Sequence, residues 1–136
     1  MNEPSRSASA KAPVLPSTVF DFAQMKAEAT PIGERRPFFW SPTATLDQFV
    51  VHMSTLDPGQ SPHPPHQHPD EEMIFIKDGT MEITINDKVQ RVGAGSVVFV
   101  GPNDMHGWKN VGNSRANYWV LRWWTAKTGP DPSAMK

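Results

Sequence analysis

The chain has 136 residues, enough for one domain with a genuine core and too few for two of ordinary size. Its 13 lysines and arginines nearly cancel 14 aspartates and glutamates, so no basic surplus is available to neutralise phosphates and nucleic acid is not an expected partner. No cysteine is present, which excludes disulfides and thiol nucleophiles and restricts any metal site to nitrogen and oxygen donors.

Residues 1–16, MNEPSRSASAKAPVLP, are rich in serine, alanine and proline without aromatic anchors, and read as a disordered N-terminal arm. They lack the apolar region of a signal peptide, and no later segment approaches a membrane span. A soluble, cytoplasmic protein with no membrane partner is expected. From Ser17 to Trp40 the pattern is mixed: VFDF alternates like a short strand, and AQMKAEA suits one or two helical turns closed by Pro31. Beyond Pro42 come short runs rich in valine, isoleucine and phenylalanine. Strands are expected over Leu46–Thr55, Met73–Ile76, Thr80–Asn86, Lys88–Val92, Ser96–Val100, Gly107–Val111 and Ala116–Trp124. The segments between them, DPG, KDG, ND, GAG, GPND and VGNS, supply proline or residues that tolerate positive φ. This predicts one all-β domain, a sandwich or barrel over residues 17–125, with a flexible tail over 126–136.

Alternation assigns faces to these strands. In QFVVHM the set Phe49, Val51 and Met53 is expected to face the core, which leaves His52 outside as an ordinary surface residue. In EMIFIKD both faces are apolar except for Glu72, so the strand needs cover from a second layer or a partner subunit. The run YWVLRWW, Tyr118 to Trp124, holds Arg122 and reads either as a final strand packed in its sheet or as a dimer face.

The stretch HPPHQHPDEEMIFIKDG, His63 to Gly79, concentrates the chemistry. His66, His68 and Glu72 have the same parity and point to one face of an extended chain, although Pro69 makes that geometry approximate. Glu72 then lies beside Ile74 and Ile76, where an ionised carboxylate is costly unless it is paired or bound to a cation. No arginine is near in sequence, and a divalent ion between imidazoles would supply the charge. His63 and Glu71 have the opposite parity and read as loop or solvated groups. His106, after the run GAGSVVFVGPNDM, has no local histidine partner and can join the first cluster only through the fold.

These two stretches together resemble the two motifs of the cupin superfamily. In the first, Gly59 opens the motif, His66 and His68 form the His-x-His pair, Glu72 follows after three residues and Gly79 closes it after six; the opening spacer is one residue longer than usual. In the second, Gly95, His106 and Asn110 match in register, while Gly101 and Asn103 replace the motif's proline and second glycine. The resemblance implies a small antiparallel β-barrel, or jelly roll, whose interior holds one metal ion on His66, His68, Glu72 and His106. Three imidazoles and one carboxylate leave open positions on a six-coordinate Fe, Mn, Ni, Co or Zn ion. Met53, Ile74, Ile76, Met81 and Trp108 would surround the ion, or simply form the core.

Two functions are compatible with this reading. One is a metal-dependent enzyme acting on a small molecule, with dioxygenase-, isomerase- or decarboxylase-like chemistry; the other is a non-catalytic binding or sensing module. A homodimer is expected, and no further acid or base is identified.

Overall fold

The computed structural model describes residues 13–129. One 3-10 turn at Phe22–Gln24 precedes nine strands: β1 (Glu28–Thr30), β2 (Gly33–Ser41), β3 (Gln48–Leu56), β4 (Glu71–Asp78), β5 (Met81–Ile85), β6 (Lys88–Val92), β7 (Val97–Val100), β8 (His106–Asn110) and β9 (Ala116–Trp124). A six-stranded antiparallel sheet in the order β1-β2-β3-β9-β4-β7 accompanies a three-stranded sheet, β6-β5-β8. They close on one core, where Ile74, Ile76 and Val120 of the large sheet join Met81, Ile83 and Trp108 of the small one. The result is the all-β fold that the strand pattern predicts, in the jelly-roll form that the resemblance implies.

Turn chemistry holds the strands in register. Asn86 adopts φ 54 in the two-residue connection between β5 and β6, and Asn103 adopts φ 62 before β8, so asparagine supplies the left-handed conformation at both places. Gly79, between β4 and β5, has φ +97, and a Cβ there would lie 2.6 Å from that of Ala116. Only glycine fits.

The region before Pro42 departs from expectation. VFDF forms no strand; Asp21 instead caps the 3-10 turn by accepting from the Ala23 N–H at 3.1 Å. The helical turns expected in AQMKAEA end there, because Glu28–Thr30 pairs with β2 and gains ladder partners that a lone helical turn cannot match. β2 itself has no counterpart among the expected strands. Pro37 and two arginines interrupt its apolar pattern, and the strand accommodates the proline at a register shift between Pro37 and Phe39.

The faces of β3 are the reverse of those expected. His52 stands opposite Val120, which stands opposite Ile74, and residues directly opposite share a face. Val50 and His52 therefore point into the barrel, and His52 is not a surface residue. Met53 points the other way, opposite Trp119, and so does not belong to the barrel interior. That outer face is covered within the chain: the Phe38 and Phe22 rings lie 4.9 and 6.4 Å from Trp119. With both faces covered, no polar side marks the orientation of the strand. Ile74, Ile76, Met81 and Trp108 are part of the core cluster.

The run Tyr118–Trp124 is a central strand with Tyr118 and Trp124 buried, not an exposed face. The expected arm and tail fall largely outside the described residues; within the arm, the Leu15 N–H donates to the Pro42 carbonyl at 2.9 Å. Among the described residues no helix is long and apolar enough to cross a membrane.

Asn110 locks the end of the barrel that carries the long loop after β3. It is fully buried; its amide donates to the carbonyls of Leu56 and Ser114, both at 2.9 Å, and its Oδ1 accepts from the Gly112 N–H at 3.0 Å. Its backbone is bonded to Gly59 and Gln60, at the start of that loop. Asn110→Ala is expected to cost roughly 2–4 kcal/mol, since it leaves the buried Leu56 carbonyl and the Gly112 N–H without their side-chain partner. The measurement is the denaturant midpoint, which should fall with an unchanged m-value.

Candidate metal centre

Three parts of the chain deliver the site. Glu72 lies on β4 with its side chain inside the barrel, His106 opens β8, and His66 and His68 sit on the loop that returns across the barrel mouth. Two backbone hydrogen bonds clamp that loop to β8, from His66 N–H to the His106 carbonyl at 2.9 Å and from His106 N–H to the His66 carbonyl at 2.8 Å. The Asn103 N–H holds the His68 carbonyl at 2.8 Å. His66, His68 and His106 thereby bring one imidazole nitrogen each to within 4.8 Å of the others. Glu72 Oε1 lies 3.1 Å from Nε2 of both His68 and His106.

The outer nitrogens are held as well. His68 Nδ1 lies 3.0 Å from the Asp70 carbonyl and 3.0 Å from its Oδ1, and His106 Nδ1 lies 2.9 Å from the Asp104 carbonyl. These partners direct both Nε2 atoms inward. His106 Nε2 is buried and has no hydrogen-bond partner of acceptable geometry, despite its closeness to Glu72. Asp70, fully buried, accepts from Arg122 Nε at 2.7 Å and from its terminal nitrogen at 3.0 Å. Arg122 stands directly opposite Glu72 across β9 and β4.

Charge follows this arrangement. Burial favours a neutral Glu72, but its contacts with His106 and His68 and the charge of Arg122 prevail and hold its pKa down at about 2. Burial likewise disfavours a charged His68, yet the hydrogen bonds to Asp70 and Glu72 push its pKa up to about 9. His66 goes the other way, to about 4, through burial and then the neighbouring His63, His106 and His68.

A family model described as a cupin domain matches residues 52–121, just over half of the chain. The chain belongs to the cupin family. Solved structures of similar fold include an RmlC-like cupin from Shewanella frigidimarina, with 17% identity, a TM-score of 0.65, and coverage of 79% of this chain and 91% of that one. The polyketide cyclase RemF from Streptomyces resistomycificus shares 23% identity over 79% of this chain and 80% of its own, with a TM-score of 0.64. A predicted oxalate decarboxylase from Thermotoga maritima shares 20% identity over 79% and 99%, with a TM-score of 0.62. Identities this low show the common fold and nothing finer. No curated protein matches the chain.

The donor set of this cupin fits a divalent transition ion. Three imidazoles could hold one, two of them with the outer nitrogen already engaged, and an anionic carboxylate lies between those two. His63 lies outside the three-histidine group; it stacks on His66 at 3.7 Å between ring centroids, with its Nδ1 2.9 Å from the Pro64 carbonyl. Glu71 faces outward and accepts from Trp123 Nε1 at 3.1 Å. Asp70 and Arg122 were not identified from sequence. Asp70 lies between His68 and Glu72 and shares their parity, but its partner Arg122 is 52 residues away and nothing local links the two. Asp70→Asn is expected to weaken binding of a divalent ion by about 10–100-fold without changing stoichiometry, because it loosens the hold on His68. Competition against a fluorescent chelator measures that change.

Proposed function

We propose that this cupin binds one divalent transition ion per chain, of the class Fe, Mn, Ni, Co or Zn, through His66, His68, Glu72 and His106, and acts as an enzyme on a small molecule at the barrel mouth. The observation that carries the reading is the convergence of three imidazoles, two of them 3.1 Å from a buried carboxylate and with their outer nitrogens already bound. When bound, such an ion would supply Lewis acidity or redox chemistry at its open positions. The chain's own residues orient the donors and keep Glu72 anionic. Neighbours of the same fold include proteins named as a polyketide cyclase and as a predicted oxalate decarboxylase, which supports small-molecule chemistry as the class.

Elemental analysis of protein reconstituted with each metal is expected to give close to one ion per chain, and none in the His66→Ala/His106→Ala double variant. A wild-type chain that takes up no metal overturns the reading. Turnover then separates enzyme from binding module: oxygen uptake with phenolic and diketone substrates, alongside isomerisation and decarboxylation assays. Tight metal binding with no turnover favours the module.

A homodimer is part of the same proposal. On the outer face of the β4–β7 edge, Met73 pairs with Phe99 and Phe75 with Val97, and Phe75, Val97 and Phe99 are 42%, 61% and 53% exposed. Contiguous exposed apolar side chains on a sheet edge favour burial against a second copy. Light scattering after size exclusion should report a dimer that Phe99→Glu converts to monomer; a monomeric wild type at micromolar concentration rejects this part alone.

A further inference from the structure

A second set of polar side chains lies on the inner face of the large sheet, away from the histidine cluster. Arg35 stands opposite Ser54, which stands opposite Tyr118; in the next row Pro37 stands opposite His52, which stands opposite Val120. The row after that runs from Val50 through Arg122 to Glu72. Directly opposite residues share a face, so Arg35, Ser54, Tyr118 and His52 point to the same side as Glu72. Successive rows are about 7 Å apart along the strands. A cavity of about 420 Å³ is lined by Arg35, His52, Ser54 and Tyr118, with Pro62, from the loop that carries His66, at one side; Glu34 also lines it, and its carboxylate is paired with Arg115 at 3.4 Å.

The two adjacent arginines of β2 are used differently. Arg36 is engaged on the outer face: it donates to the Met25 carbonyl and lies 4.3 Å from the centroid of the Phe22 ring. Arg35 makes no hydrogen bond or ion pair among the described residues. Glu28 is its opposite number on β1, but Glu28 is exposed and forms no ion pair with it. His52 Nδ1 is buried and has no hydrogen-bond partner among the described residues. Burial first, and then the charge of Arg35, hold the His52 pKa down at about 3, so the ring stays neutral and offers one donor and one acceptor. Buried polar atoms are normally paired, and His52 lines a cavity together with Arg35, which has no ion pair among the described residues.

We infer that Arg35, with His52 and Ser54, forms a carboxylate-binding subsite in the barrel interior, and that the substrate of the metal centre is a small organic acid anchored there by its carboxylate. A planar guanidinium matches a carboxylate with two parallel hydrogen bonds, and Arg35, without an ion pair among the described residues, balances one anionic charge. The subsite stands on its own residues; only the link to substrate rests on the proposed metal centre. The adjoining row runs from Val50 through Arg122 to Glu72, two strands across from His52, so the subsite and the ligand cluster share the inner face of the large sheet.

The test is titration of the full chain, metal-free and metal-loaded, with succinate and benzoate and with their neutral counterparts succinamide and benzamide, followed by amide chemical shifts. The acids are expected to bind and to shift the Arg35, His52 and Ser54 resonances, and the amides are not. Arg35→Met should weaken acid binding at least tenfold while metal stoichiometry is unchanged, and His52→Gln should weaken it less. Acids that fail to bind, that bind Arg35→Met as tightly as wild type, or that shift only the 66–72 region overturn the inference, as do amides that bind equally well. Should Arg35→Met not fold, the wild-type shift map and the comparison of acids with amides decide. Acid binding at Arg35 in a chain that takes up no metal rejects the metal centre and keeps the subsite; metal loading without acid binding does the reverse.

Discussion

The structure depends on keeping one carboxylate charged inside a barrel. Glu72 is 4% exposed, on a strand whose inward neighbours are Ile74 and Ile76, and an isolated anion there would be expelled or protonated. Around it the chain assembles two imidazoles within 3.1 Å and an arginine directly across the sheet. Arg122 in turn is neutralised by Asp70, and Asp70 orients His68. The charges thus alternate around a closed circuit, and no member can be removed without leaving a neighbour unpaired in a medium of low polarity. The order β9-β4 in the large sheet is what makes the circuit possible, because it sets Arg122 and Glu72 in one cross-strand row.

The topology explains why the four side chains of the proposed centre are scattered along the chain yet meet in space. The large sheet supplies a carboxylate, the small sheet supplies His106, and a loop tied to both supplies two more imidazoles. Asn110 serves this arrangement at a distance from the chemistry. It holds the end of β3, the turn before β9 and the first residues of the loop, so it fixes where that loop sets out.

Much of this was legible in the sequence, in places where a residue type has a single physical use. Glycine and asparagine at turns, valine and isoleucine in short runs, and an acid beside two isoleucines identify the strands after Pro42 and the inward face of β4. The strand Gly33–Ser41 was hidden because Pro37 and two arginines break its pattern, and only the pairing with β3 absorbs them. His52 was assigned to the wrong side because alternation tells inside from outside only when one side is wet, and Phe22, Phe38 and Trp119 keep the other side of β3 dry. The Asp70–Arg122 pair escapes the sequence for a different reason: it joins residues far apart in the chain and no local spacing encodes it, although Asp70 also meets His68 two residues before it. His106 was found through its motif, although its meeting with His66 is equally non-local.

The loop across the barrel mouth is fastened at both ends by backbone pairs, Gly59 and Gln60 with Asn110 at one end and His66 with His106 at the other. Ordering a loop of this length costs conformational entropy, and here that cost is met when the protein folds. For the proposed metal centre this means preorganisation: its donors would need little rearrangement to receive a cation, and the cost of capture would lie in stripping water from the ion. Selectivity among cations would then follow from how tightly each holds its hydration shell and which coordination geometry the rigid donors accept, with loop motion contributing little.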